Sequence, residues 1–185
     1  MLQKKPILLV FSGLPGSGKS TVAKETAQQL GNTILSATDA FRCMITEPKY
    51  TSRESRLVYD SAMSFAEKAL ELGYNAILDG TFLKQEYRKE ALERLNDLYS
   101  EAFVVFVKCD KDTAWKRNVE RKYAVPTESF HRMLKVLEAP EDGVIIDSTV
   151  LSPVDAARLV ISKLATKCKA TLQEAPIGTQ KGESE

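Results

Sequence analysis

Histidine and cysteine are scarce in this chain, which has 1 histidine and 3 cysteines in 185 residues. The cysteines, Cys43, Cys109 and Cys168, are odd in number and show no C-x-x-C spacing. That pattern argues against a disulfide framework or a zinc site and points to reduced thiols in a cytoplasmic protein. His131 has no Cys, His or acidic cluster at ligand spacing around it, so it reads as a surface or packing residue. An excess of one charge is missing too. The 26 basic and 25 acidic residues sum to +1, so no global field advertises a nucleic-acid binder or a membrane surface, although a local basic groove is compatible with this balance. No apolar run approaches transmembrane length. Lys4 and Lys5 precede the apolar run Ile7–Phe11 as in a secretory leader. The run is short, however, and no small-residue cleavage pattern follows, so it reads as a first buried strand.

What is present suits one α/β domain with a sizeable core: 43% hydrophobic and 28% charged residues. Five short runs, Pro6–Ser12, Thr33–Ser36, Asn75–Asp79, Ala102–Lys108 and Gly143–Asp147, are nearly continuous in apolar character. Such runs mark strands buried on both faces of a parallel sheet. Helical patterns fill the intervals: Thr21–Leu30, Ser52–Leu72, and Lys84–Tyr99, in which Tyr87, Ala91, Leu95 and Leu98 recur at helical spacing. Ser152-Pro153-x-Asp155 reads as an N-cap, a first-turn proline and an acid near the helix start, opening a last helix through about Lys167. The alternation predicts right-handed βαβ units in a doubly wound sheet, whose ligands sit beyond the carboxyl ends of the strands. From Ala170 the sequence loses aromatics and periodicity, and residues 170–185 are expected to form a disordered tail.

Gly13-Leu14-Pro15-Gly16-Ser17-Gly18-Lys19-Ser20 matches G-x-x-x-x-G-K-[ST] in full, with Thr21 following, between a predicted strand and a predicted helix. The glycines let the backbone curl so that its N–H groups face phosphate, and the helix N-terminus adds its positive end. Residues 13–21 are therefore the expected nucleotide cradle, with Lys19 on the β- and γ-phosphates and the Ser20 hydroxyl on Mg2+. The guanine-reading N-K-x-D is absent, since Val107-Lys108-Cys109-Asp110 lacks the Asn. No D-x-x-G follows the third strand, where Asp79-Gly80-Thr81-Phe82 stands.

With Asp39-Ala40-Phe41-Arg42 after the second strand and Asp79 closing the third, the chain resembles the small P-loop kinases related to 5′-polynucleotide kinases, a group that takes in AAA_33-type and zeta-toxin-related P-loop kinases. Arg117-x-x-x-Arg121 resembles their lid and Val144–Thr149 their adenine-side loop, so that the resemblance covers about residues 6 to 165. It implies a three-layer P-loop NTPase fold, with a five-stranded parallel sheet, helices on both faces and a short helical lid at about residues 111–137 of a kinase domain spanning 1–169. It further implies ATP and Mg2+, and transfer of the γ-phosphoryl group to a hydroxyl. A polynucleotide 5′-hydroxyl is the first candidate acceptor, which makes single-stranded nucleic acid or tRNA the candidate partner. A small molecule or seryl-tRNA is the alternative, and a non-kinase ATP-dependent switch a third reading.

Each candidate residue has a plainer role beside its catalytic one. Asp39 is expected to orient the acceptor hydroxyl and take its proton, or else to cap a helix at Ala40–Ile45. Arg42, one turn on, is a candidate for acceptor phosphate or sugar, or a surface arginine. Asp79 is a candidate for metal or acceptor, or a strand-to-loop cap. Arg117 and Arg121 are expected on one helix face, reaching the β- and γ-phosphates when a lid closes, or sharing ordinary surface pairs. Trp115 reads as lid packing.

Overall fold

A computed structural model describes residues 5–174, with side chains through Lys167. Five parallel strands form one sheet: β1 (Ile7–Ser12), β2 (Thr33–Ala37), β3 (Asn75–Asp79), β4 (Glu101–Lys108) and β5 (Val144–Asp147), in the order β2-β3-β1-β4-β5. The helices are α1 (Lys19–Leu30), α2 (Thr38–Arg42), α3 (Ser52–Glu71), α4 (Gln85–Arg94), α5 (Lys111–Val119), α6 (Thr127–Val136) and α7 (Pro153–Glu174). This is the three-layer α/β arrangement expected of the sequence.

The period of two along β1 assigns its side chains to the two layers. Leu9 and Phe11 join Val22 and Ala23 of α1 and Ala156, Val160 and Leu164 of α7 in one buried cluster. Leu8 and Val10 join Ala62, Met63 and Ala66 of α3 and Ala91 of α4 in the other. Both faces of the central strand are therefore covered, which is why its sequence is continuously apolar. Register carries the chemistry to one edge: Phe11 pairs with Asp79 on β3 and with Val105 on β4, and Ala37 pairs with Asp79. The residues that follow β1, β2 and β3 thus emerge side by side.

Three local expectations change. The helix read over Lys84–Tyr99 ends at Arg94, and a short 3-10 helix, Asn96–Leu98, follows. Its buried face carries Arg88, Ala91 and Leu95, while Tyr87 points to solvent, because the Arg88 guanidinium is recruited to loop carbonyls beneath the helix. The last helix continues through Glu174 instead of stopping near Lys167, so residues 170–174 of the expected tail are helical, and 175–185 lie outside the described residues. Its start is as read: Ser152 Oγ accepts from the Asp155 N–H at 3.2 Å. Among the described residues no helix is long and apolar enough to cross a membrane, and Cys43 and Cys109 are free.

Candidate active site

The phosphate loop leaves β1 at Ser12 and enters α1 at Lys19, with Gly18 as the helix N-cap in left-handed conformation, φ 84°. Gly16 shows why the loop needs glycine. Its φ is 78°, and a β-carbon there would lie 2.0 Å from the Ala114 carbonyl oxygen of α5. The loop is anchored from both sides. Gly13 N–H donates to the Thr81 carbonyl at 3.1 Å, and the Ser148 hydroxyl, just past β5, donates to the Ser17 carbonyl at 2.6 Å.

Lys19 is buried, and its Nζ donates to the Leu14 carbonyl at 3.4 Å. Burial pushes its pKa below the usual lysine value, against the pull of Asp79 and then Asp39. The missing stabilisation is what a bound phosphate supplies. Asp79, at the end of β3, is also buried, and burial raises its pKa, while Lys19 and a hydrogen bond from the Ser20 side chain oppose the rise. Asp79 Oδ1 has no hydrogen-bond partner among the described residues. A buried carboxylate oxygen beside a hydroxyl is an oxygen donor set suited to Mg2+, which takes few protein ligands and completes its shell with phosphate and water. The described residues hold no group of three or more His, Cys, Asp or Glu that would make an all-protein metal cage.

Asp39 sits in the first turn of α2, whose N-cap is Ala37. The capping alternative therefore falls: Asp39 caps nothing, and its side chain is 53% exposed toward the site. It pairs with Arg121 through Arg121 Nη2 and Asp39 Oδ2. The shared face expected of Arg117 and Arg121 does not form, because α5 ends at Val119 and Arg121 lies beyond its C-cap. Arg117 instead reaches the loop after β5, with Nη1 donating to Ser148 Oγ at 3.4 Å and lying 3.7 Å from Cys109 Sγ. Both arginines still line the cavity over the phosphate loop, Arg117 beside Ser148 and Arg121 beside Asp39.

Two adjoining cavities result. One is lined by Gly16, Gly18, Lys19, Ser20, Thr21 and both arginines. The other, of about 200 Å3, lies between α2, the start of α3, and the α5–α6 segment. Its walls include Asp39, Arg42, Tyr50, Arg132, Met133 and Val136. Lys19 and Arg121 line both. Arg42, held by Ser55 Oγ at 3.5 Å and lying 4.7 Å from the Tyr50 ring centroid, belongs to the second cavity and not to the free surface.

Several residues of this site carry no signal in the sequence. Tyr59 fixes the loop after β3: its hydroxyl accepts from the Thr81 and Phe82 N–H groups at 3.2 and 3.3 Å and shares a 2.6 Å bond with Thr81 Oγ1. It helps hold Phe82 at φ 35°, an unusual conformation for a side-chain-bearing residue. Asn118 clasps Val125 by two bonds, Nδ2 to the carbonyl at 3.0 Å and N–H to Oδ1 at 3.1 Å, and so sets the turn between α5 and α6. Trp115 packs on Phe130 at 5.0 Å between ring centroids and stacks near His131, so the aromatic residue and the sole histidine hold α5 to α6.

A family model described as an AAA domain, AAA_33, matches residues 8–140. The L-seryl-tRNA(Sec) kinase of Methanococcus maripaludis is 24% identical over 138 residues, 72% of this chain and 53% of that protein. A cytidylate kinase of Archaeoglobus fulgidus is 33% identical over 87 residues, 41% of this chain and 48% of that one. The chain spans about half the length of these two curated relatives. Among solved structures, a gluconokinase from Sinorhizobium meliloti 1021 superposes with a TM-score of 0.71 at 18% identity, over 94% of this chain and 99% of that one. The Mycobacterium tuberculosis APS kinase, in complex with AMPPNP and APS, gives 0.68 at 17%, over 88% and 99%. At such identities the superpositions speak for the shared fold. The family match covers the phosphate loop, both carboxylates and the arginine segment, and the chain belongs to the AAA_33 family of AAA domains.

Proposed function

We propose that this chain transfers the γ-phosphoryl group of ATP to a hydroxyl of an acceptor bound beside Asp39. The observation that carries the reading is the pair of adjoining cavities that share Lys19 and Arg121, with a carboxylate in the wall of the second. In this arrangement Asp39 accepts the hydroxyl proton as the acceptor oxygen bonds to phosphorus, and the bond to the bridging oxygen of ADP breaks with its electron pair on ADP. Lys19 and Arg121 stabilise the charge that spreads over the moving group. Arg117, held against Ser148, faces the nucleotide side. Ser20 and Asp79 are the residues that would hold Mg2+, which would supply neutralisation of phosphate charge when bound. A phosphate acceptor, as in a nucleoside-monophosphate kinase, needs no proton acceptor and would meet Asp39 as a like charge. That carboxylate therefore favours an alcohol.

The cavity of about 200 Å3, with an apolar wall of Val125, Met133 and Val136, favours a low-molecular-weight alcohol. The polynucleotide 5′-hydroxyl implied by resemblance, or a tRNA-borne hydroxyl, is a second reading. It is favoured by the exposed Arg53 and Arg56, which flank the cavity-lining Ser55 on α3. Incubating γ-labelled ATP with polyols, hydroxy acids, oligonucleotides and tRNA tests both. Label should pass to a small alcohol with a KM that responds weakly to salt, and Lys19→Ala should abolish the transfer. A nucleic-acid acceptor with a steep salt dependence would establish the second reading, and absence of transfer to every acceptor would contradict the kinase reading.

A further inference from the structure

We propose that Arg88 is a positioning residue for phosphoryl transfer: by fixing the Phe82–Leu83 turn, it sets where the acceptor wall returns to the core. This rests on the kinase reading above and concerns a side chain that lines neither cavity.

Arg88 lies on α4 and is only 2% exposed. Its Nη1 donates to the Phe82 carbonyl at 2.9 Å and to the Leu83 carbonyl at 3.2 Å. Its Nη2 is buried with no hydrogen-bond partner among the described residues. Glu138 is the acid whose charge acts on it, yet the two form no ion pair among the described residues. A buried guanidinium with a spare N–H and no paired anion costs stability, and an apolar side chain of similar volume removes that cost. Nor do the two carbonyls depend on Arg88 for a donor. Phe82 also accepts from Ser12 Oγ at 2.9 Å, and Leu83 also accepts from the Glu138 N–H at 2.9 Å. Stability alone does not account for this residue.

Those second donors belong to the two halves of the site. Ser12 closes β1 where the phosphate loop begins, and Glu138 follows α6, two residues past Val136 of the acceptor cavity. The planar guanidinium spans both carbonyls and holds successive peptide groups in one orientation. Phe82 stands at φ 35°, so the turn needs such outside support. The phosphate loop has further anchors, from Gly13 to Thr81 and from Ser148 to Ser17. The far end of the α5–α6 segment is tied through Glu138, to Leu83 and to the Gln85 N–H. Loss of Arg88 therefore falls on the acceptor wall and spares the nucleotide loop.

Trp115, the single tryptophan of the chain, packs on Phe130 between α5 and α6 and reports on that wall. The test measures its quenching by acrylamide, the melting temperature and Mg·AMPPNP affinity. The proteins are wild type, Arg88→Met, Arg88→Lys, Glu138→Gln and the double variant Arg88→Met with Glu138→Gln. Arg88→Met should keep or raise the melting temperature and leave Mg·AMPPNP affinity near wild type, while Trp115 becomes more readily quenched. Lys, which keeps a cation and donors, should restore part of the protection. Glu138 is exposed, so Glu138→Gln folds even where Arg88→Met does not. It should raise quenching in the same sense, and the double variant should show less than the sum of the single effects. Quenching that either single variant leaves at the wild-type level overturns the proposal, as does a double variant with additive effects. With the acceptor that takes label from γ-labelled ATP, Arg88→Met should raise the acceptor KM by about tenfold, as for one lost charge-assisted hydrogen bond, with the ATP KM nearly unchanged. A parallel rise in both KM values would also overturn it. The kinase reading fails separately, through absence of label transfer by wild type to every acceptor, and the quenching of Trp115 still decides the role of Arg88 in the wall.

Discussion

At Asp79 two demands meet in one carboxylate: it is buried, and on the proposed reading it must be ionised to hold Mg2+. Burial raises its pKa, with Lys19 and Ser20 acting against the rise. Between the ordinary carboxylate value and the raised one, the folded state binds more protons than the unfolded chain. The carboxyl therefore favours the folded state at low pH, and that contribution is lost as pH rises through the raised value. Nucleotide binding has the opposite sign, because only the ionised form can hold Mg2+. Affinity for Mg·AMPPNP should therefore fall on acidification, with a midpoint above the ordinary value of about 3.9, and the step should be absent in Asp79→Asn. An identical pH profile for the variant would remove Asp79 from the metal site. Lys19 and Ser20 were legible from the G-x-x-x-x-G-K-[ST] spacing, and Asp39 and Asp79 from their places just past or at the end of an apolar run. The pairing of Arg121 with Asp39 was not, since it joins residues 82 apart in sequence across a helix end that periodicity did not reveal. Arg132, Tyr50 and Tyr59 gain meaning only from the wall they share.

Between α5 and α6 the chain turns on a single side chain, Asn118, which satisfies both backbone groups of Val125 in a buried position. Arg121 N–H also donates to the Asn118 carbonyl at 3.2 Å, so the same residue positions the arginine that faces Asp39. The far end of the segment is tied back at Glu138, whose N–H donates to the Leu83 carbonyl at 2.9 Å and whose carboxylate accepts from Gln85 N–H at 2.7 Å. Asn118→Ala leaves two buried backbone groups without partners, at a cost of about 1–3 kcal/mol. The melting temperature should drop by several degrees, at about 2–4 °C per kcal/mol. The acceptor KM should rise more than the ATP KM, because Val125 lines the acceptor cavity. Unchanged melting and kinetics would show that the turn does not set the site. The strands were readable from composition because parallel strands buried twice have no polar face. The break after Arg94 and the extension of α7 to Glu174 depend on packing under the helices, to which helical spacing alone is blind.

Across the whole molecule, connections diverge on either side of β1, with β3 and β2 on one hand and β4 and β5 on the other. That divergence opens the crevice at the carboxyl ends of the strands where the phosphate loop lies. The two core layers fix β1 rigidly, while the acceptor cavity is completed by the α5–α6 segment, which rests on Asn118, Glu138 and the Trp115–Phe130 contact. On the proposed reading the nucleotide loop leaves a strand covered on both faces while a separate segment completes the acceptor wall, which suits a reaction in which the second substrate completes the site. Asp39 is the one carboxylate among the described residues that line the second cavity, and the proposed reaction gives it the acceptor's proton. The decisive measurement is the single-turnover transfer rate of Asp39→Asn against wild type, with Mg·AMPPNP affinity measured alongside. Transfer should fall by roughly 10²–10⁴-fold, the range for loss of a general base, while nucleotide affinity stays near wild type. Transfer at close to the wild-type rate would contradict the account, and a joint loss of nucleotide binding would move Asp39 from the acceptor to the metal.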